Sequence, residues 1–180
     1  MEERLQGNPV SEGIAYAKSY IYIPGTLTKA PDFFPKGQEE EKYREFRESC
    51  EKADSELVTL YNGMCKEDPD KAKIFSAHRE LLQDEEILDE IRETICEENM
   101  NPDSAVSKVY TEFAELLAGV EDPLIAERAA DLRDVRDRLL RILSGQETSK
   151  LSSFSEDVIL VAHDLLPSDT ATMDRKHIKG

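Results

Sequence analysis

Apolar positions between residues 43 and 64 keep a helical rhythm. Tyr43, Phe46, Cys50, Ala53, Leu57, Leu60 and Met64 recur at alternating spacings of three and four. Such a seam belongs to a helix packed along a neighbour in coiled-coil style, and it predicts one long helix from about Gln38 to Lys66. A second helix is predicted to start near Pro69, a residue suited to a first helical turn, with Ile74, Phe75, Leu81 and Leu82 on its apolar face. It continues or kinks through Ile87, Leu88, Ile91 and Ile95. Asn101-Pro102 and Asp122-Pro123 each pair an N-cap side chain with a proline at the first helical position, so each starts a further helix. The first is expected to bury Val106, Val109, Phe113 and either Leu116 or Leu117. The second is expected to bury Ala129, Leu132, Val135, Leu139 and Ile142, with Gly145 closing it. Four helices on short links predict an up-and-down bundle.

The rhythm changes at both ends. Gly13 to Ile23 is rich in β-branched and aromatic residues, alternates in part, and stops at Pro24-Gly25, which reads as a strand. Pro31, Pro35 and Gly37 make residues 24–37 a connecting loop. Residues 146–154 are polar and serine-rich. Val158 to Ala162 then forms an unbroken apolar run, expected as a strand buried on both faces. Ser168 or Asp169 can cap a short last helix through Thr172 to Lys176. The order predicts a mostly α chain, with a helical domain over residues 38–145 inserted into a small α/β domain formed by residues 1–37 and 146–180. On this reading the bundle is the stable unit and the terminal strands are loosely held.

Charge sharpens the picture. The chain has 180 residues, 23 Lys and Arg against 39 Asp and Glu, and a net charge of -16. Of that excess, 11 charges fall in residues 38–100. So acidic a surface repels phosphate backbones and anionic lipid, which argues against nucleic acid and membrane partners and for a basic protein partner. No run is apolar and long enough to span a bilayer, and Glu2 and Glu3 stand where a signal peptide needs basic residues. Cys50, Cys65 and Cys96 form no C-x-x-C pair, which fits a reducing cytoplasm.

Four strings, GNPVSEGIAYAK, IFSAHRELLQDEEI, ERAADLRDVRDRLL and VILVAHDLLPSDTA, resemble in order and spacing the N-terminal region of Enzyme I. These are the phosphoenolpyruvate-protein phosphotransferases of the bacterial sugar phosphotransferase system. The resemblance covers nearly the whole chain. It implies a helical bundle that docks the small carrier protein HPr and an α/β part that carries a phosphohistidine, here incomplete. It also implies relay of a phosphoryl group from phosphoenolpyruvate to HPr for sugar uptake, with Mg²⁺ and the phosphoenolpyruvate site in a C-terminal barrel outside these residues; no cofactor is expected in this chain itself. Ser11-Glu12-Gly13 departs from the usual S-P-G. The phospho-accepting histidine of the resemblance lies in a G-G-x-x-S-H motif just past the position of Gly180, and neither Gly-Gly nor Ser-His occurs here.

Three histidines are candidates for chemistry. His78 sits between Ser76-Ala77 and Arg79-Glu80 on the second helix, where a lone histidine is ordinarily a surface or half-buried polar residue. His163 follows the apolar strand beside Asp164, and His177 has no partner identifiable from sequence. None has the setting of a phospho-acceptor, so no catalytic residue is assigned. Ile74, His78 and Leu81 share one helical stripe, with Asp70 a turn before and Asp84 a turn after. Acids there, Glu86 among them, are ordinarily a solvated face. An apolar strip rimmed by carboxylates is also what a basic partner with a small apolar centre matches. The resemblance makes this strip the HPr site, with His78 in contact, and adds Leu117, Ile125 and Arg128. Metal and enzyme motifs are lacking: no Glu lies three residues before a His, and no phosphate loop, nucleophile elbow or EF-hand occurs. Two rival readings remain, a stand-alone non-catalytic protein that binds HPr or another small basic protein, and an unrelated acidic helical scaffold.

Overall fold

A computed structural model describes residues 13–22, 32–145, 151–162, 165 and 167–180. The chain runs β1 (Lys18–Tyr22), α1 (Glu39–Met64), α2 (Pro69–Leu82), α3 (Glu85–Cys96), α4 (Pro102–Ala118), α5 (Pro123–Leu143), β2 (Val158–Ala162) and α6 (Pro167–Thr172). It is mostly helical with a small parallel sheet, the expected fold class. The span of 69–95, foreseen as one continued or kinked helix, is two. Asp84 is the cause: its carboxylate accepts from the N–H groups of Glu86 and Ile87, which caps α3 and ends α2 at Leu82. Asp68 caps α2 through the N–H groups of Asp70 and Lys71, and Asp122 caps α5 through that of Leu124. Asn101 occupies the N-cap position of α4 without a side-chain capping bond. Gly145, at φ 67°, follows the end of α5 as expected.

Phe46, Cys50, Ala53 and Leu57 of the α1 seam are buried, while Tyr43, Leu60 and Met64 are half-buried against the same core. Val106, Val109, Leu132, Val135 and Leu139 join them; between the two leucines left open on α4, Leu117 packs inward and Leu116 faces out. Each of the larger side chains contributes about 1.5–3 kcal/mol by leaving water. Among the core residues absent from the sequence reading are two aromatics. Tyr110 is fully buried, and Phe34, in the stretch read as a connecting loop, is buried within the bundle. Polar ties cross the helices. Arg79 of α2 donates to Asp54 of α1 at 2.7 and 3.2 Å, and Glu56 of α1 accepts from Arg138, at 2.6 Å, and from Arg141 of α5.

β1 and β2 pair in parallel, from Lys18 opposite Val158 to Tyr22 opposite Ala162. The expected strand over 13–23 is thus confined to its C-terminal half. The far edge of β2 meets the chain end: Val158 donates its N–H to the His177 carbonyl, and Leu160 donates to that of Gly180. The far edge of this two-stranded sheet is thus capped by the chain end. β2 is not buried on both faces, however, because Val161 is 48% exposed beside the exposed Ile21. The last helix ends at Thr172 and does not run on to Lys176, since residues 173–176 are not helical, a second correction. There the Asp174 carboxylate accepts from the N–H groups of Lys176 and His177 and makes a turn instead. Ser168 and Asp169 lie inside α6, not before it. Residues 11 and 12, the 24–31 part of the loop, residues 146–150, His163 and Asp164 lie outside the described residues. Among the described residues no helix is long and apolar enough to cross a membrane.

Candidate functional site

The expected docking residues lie on α2, the start of α3, the end of α4 and the start of α5, and α2 and α4 both pack on α5. Helical periodicity puts Ile74 and Leu81 on one stripe of α2, both half-buried, so each packs inward and keeps an open flank. The capped turn at Asp84 places Glu86, exposed, just beyond Leu81. Asp70, exposed at the other end of the stripe, pairs with Lys73 at 2.8 Å. The Tyr110 hydroxyl donates to the Leu81 carbonyl at 3.4 Å and ties α4 to the last turn of α2. Leu117 lies two turns further along α4, half-buried, and Ile125 and Arg128 are exposed on the opening turns of α5.

His78 does not sit on this face. Its ring is fully buried behind the stripe, turned toward α5, with Nε2 3.2 Å from Asp131 and Nδ1 3.4 Å from Asp134. The ring of Phe75 packs edge-on against it at 6.2 Å. The two aspartates lie 53 and more residues from His78 along the chain, so helix spacing alone could not place its ring. His78 therefore supports the face from beneath. With no exposure and carboxylates at both nitrogens, it is closed to a phosphoryl donor. Nδ1 of His177 is engaged by Asp174 at 2.7 Å.

The structure adds an apolar patch that periodicity did not single out. Leu116 is 69% exposed, Leu124 is 75% exposed, and Val120 and Ile125 are also exposed, all around the turn between α4 and α5. A sequence signal was present: Leu116-Leu117 and Leu124-Ile125 are adjacent apolar pairs flanking a turn, and a helix can bury one of each pair. Large apolar side chains clustered at a turn mark an interaction surface. Acids at Asp70, Asp84 and Glu86 rim its α2–α3 side. Asp84 is already engaged as the α3 cap, so its free charge is spent partly within the fold. Among the described residues there is no group of three or more His, Cys, Asp or Glu placed to hold a metal.

Residues 6–128 match the family described as PEP-utilising enzyme, N-terminal. The phosphoenolpyruvate-protein phosphotransferase of Priestia megaterium is 36% identical over 181 residues, taking in 100% of this chain and 31% of the relative. That of Bacillus subtilis is 36% identical over 179 residues, 99% of this chain and 31% of the relative. The chain thus spans about a third of the length of these relatives. Among solved structures, an Enzyme I protein studied in solution superposes with a TM-score of 0.76 at 33% identity, over 90% of this chain and 66% of that one. An N-terminal domain of a nitrogen-type Enzyme 1, 23% identical, shares the fold with a TM-score of 0.67 over 91% of this chain and 67% of that one. Matched by family, by relatives along its whole length and by fold, the chain belongs to the PEP-utilising enzyme N-terminal family as an N-terminal region of Enzyme I.

Proposed function

We propose that this chain docks the phosphocarrier protein HPr on the face formed by Ile74, Leu81, Leu117 and Ile125, and that it does so as part of a phosphoenolpyruvate-protein phosphotransferase serving sugar uptake. One observation carries the reading: apolar side chains stand exposed at the α4–α5 turn beside an acidic α2–α3 rim, in a member of the Enzyme I family. A small basic carrier suits that pattern. Its apolar centre would seat against Leu124, Ile125 and Leu81, and its basic rim would meet Asp70 and Glu86. The centre of such an interface slows dissociation, and the rim sets encounter rate and salt dependence. Arg128 adds a cation at the apolar margin, suited to a carboxylate or a backbone carbonyl of the carrier. The role of the docking face is to hold the carrier while the phosphoryl transfer takes place at a histidine outside the described residues. Mg²⁺ would serve the phosphoenolpyruvate chemistry of the longer protein, and no step is assigned to it within this chain.

Isothermal titration with purified HPr tests the proposal. Leu124→Asp and Ile125→Asp are the informative variants because both side chains are exposed and their loss spares the core. Affinity should fall about ten-fold or more for each. Asp70→Lys with Glu86→Lys should weaken binding mainly at low salt. Asp84→Lys would be ambiguous, since it also uncaps α3. Unchanged affinity in all three exposed-site variants would remove the docking role.

A further inference from the structure

We propose that Asp131 and Asp134 are positioning residues of the docking face: by gripping His78 from α5 they fix the roll of α2, and with it the alignment of Ile74 and Leu81 against Ile125. The inference rests on the docking reading above and adds what sets the geometry of the face.

Phe75 and Leu82 of α2 and Leu132 of α5 are all buried in the same core cluster. Burial of this kind is strong but non-directional, and it tolerates small rotations of one helix on another. Hydrogen bonds and close charge contacts are directional. His78 is fully buried, Asp134 is 1% exposed, and Asp131 lies at the margin, so the cluster sits in a region where a lost partner is costly. Asp131 and Asp134 are three residues apart on α5 and therefore flank the ring from successive turns. The Asp131 contact is a hydrogen bond, whereas Nδ1 faces Asp134 at 3.4 Å without hydrogen-bond alignment. The ring is thus hydrogen-bonded at Nε2 and close to a carboxylate at Nδ1, so a swivel would disturb both contacts.

Ile74 and Leu81 lie one turn either side of His78 on α2. Any roll that frees the imidazole therefore sweeps both apolar side chains across the face. Ile125 and Arg128 lie about two turns and one turn before Asp131, roughly 9 and 4.5 Å along α5. The grip on α2 and the α5 half of the docking face are thus on the same rigid helix.

The test uses the full chain carrying Asp134→Asn, with Asp131→Asn as the milder variant should the first not fold. Three readings are taken: backbone residual dipolar couplings of residues 72–82 relative to α5, ¹⁵N signals of the His78 ring, and affinity for purified HPr at a temperature where circular dichroism shows full helicity. The expected result is a changed α2 orientation, a displaced His78 ring signal, and affinity lower by about ten-fold. In a double-mutant cycle Leu81→Ala should cost less in the Asp134→Asn background than alone, because its alignment is already lost. An unchanged α2 orientation with an altered ring signal would overturn the positioning role. If the parent chain fails to bind HPr while the couplings shift as expected, the docking reading falls and the positioning of α2 stands.

Discussion

Phe34 donates its backbone N–H to the carbonyl of Asn99 at 2.9 Å, and Asn99 accepts it from a left-handed conformation at φ 58°. The Asn101 N–H donates in turn to the Asp32 carbonyl at 2.9 Å, so residues 32–34 are stitched to the turn between α3 and α4. The stitch carries the Phe34 ring into the bundle core. A stretch that looks like a connector is thereby a structural member of the helical part.

Phe34→Ala should accordingly destabilise the helices by about 3 kcal/mol, the cost of deleting a large buried aromatic. Urea unfolding followed by circular dichroism at 222 nm measures it. A loss below about 1 kcal/mol would mean that the ring only rests on the surface. At Asn99, a glycine should be tolerated, whereas Asn99→Val should cost about 1–2 kcal/mol, since a β-branched residue resists positive φ.

Burial pushes the Cys50 thiol up to about 12. Thiolate is the reactive form, so at neutral pH Cys50 should resist iodoacetamide in the folded chain and react once the chain is unfolded. Peptide mass mapping with and without denaturant distinguishes the two. Ready labelling of Cys50 under native conditions would contradict its place in the core beside Phe46 and Tyr110.

The turn at Asp174 yields a pH prediction. The His177 ring, then the Phe154, Lys176 and His177 N–H groups, hold the Asp174 carboxyl well below the usual carboxylate range. The sign follows from a depressed acid: its stabilisation is complete above the unfolded value of about 3.9 and is lost as pH falls toward the lower folded value. The hydrogen bond from the Phe154 N–H to Asp174 should therefore persist down to about pH 4, and the Phe154 amide should report its loss only in stronger acid. A midpoint near the ordinary aspartate value would show that the turn does not form these bonds.

Local patterns were legible and distant pairings were not. The α1 seam, the Asp68-Pro69 and Asp122-Pro123 starts and the Gly145 stop all depend on residues within a turn or two, and each is where the sequence put it. The break at Asp84 was missed because a cap inside a continuous apolar stripe looks like one more exposed acid. Phe34 and His78 were misplaced for a single reason: their partners, Asn99 for one and Asp131 with Asp134 for the other, stand more than 50 residues away. The exposure of Val161 has the same origin, since strand composition tells that β2 has neighbours at both edges but not what covers its faces. Of the residues expected to dock, Asp70, Glu86, Ile125 and Arg128 are exposed and Ile74, Leu81 and Leu117 half-buried, whereas the exposed pair Leu116 and Leu124 emerged only with the fold.

The central claim is that the α2–α5 side of the bundle is an acid-rimmed docking face for HPr. Titrating unlabelled HPr into the ¹⁵N-labelled chain and following its amide spectrum tests this most directly. Docking on this face predicts shifts or broadening concentrated at Ile74, Leu81, Glu86, Leu117, Leu124, Ile125 and Arg128, weakening as salt is raised, with β1 and β2 unaffected. Perturbations confined to the sheet around Ile21 and Val161, or a spectrum unchanged at saturating HPr, would contradict it.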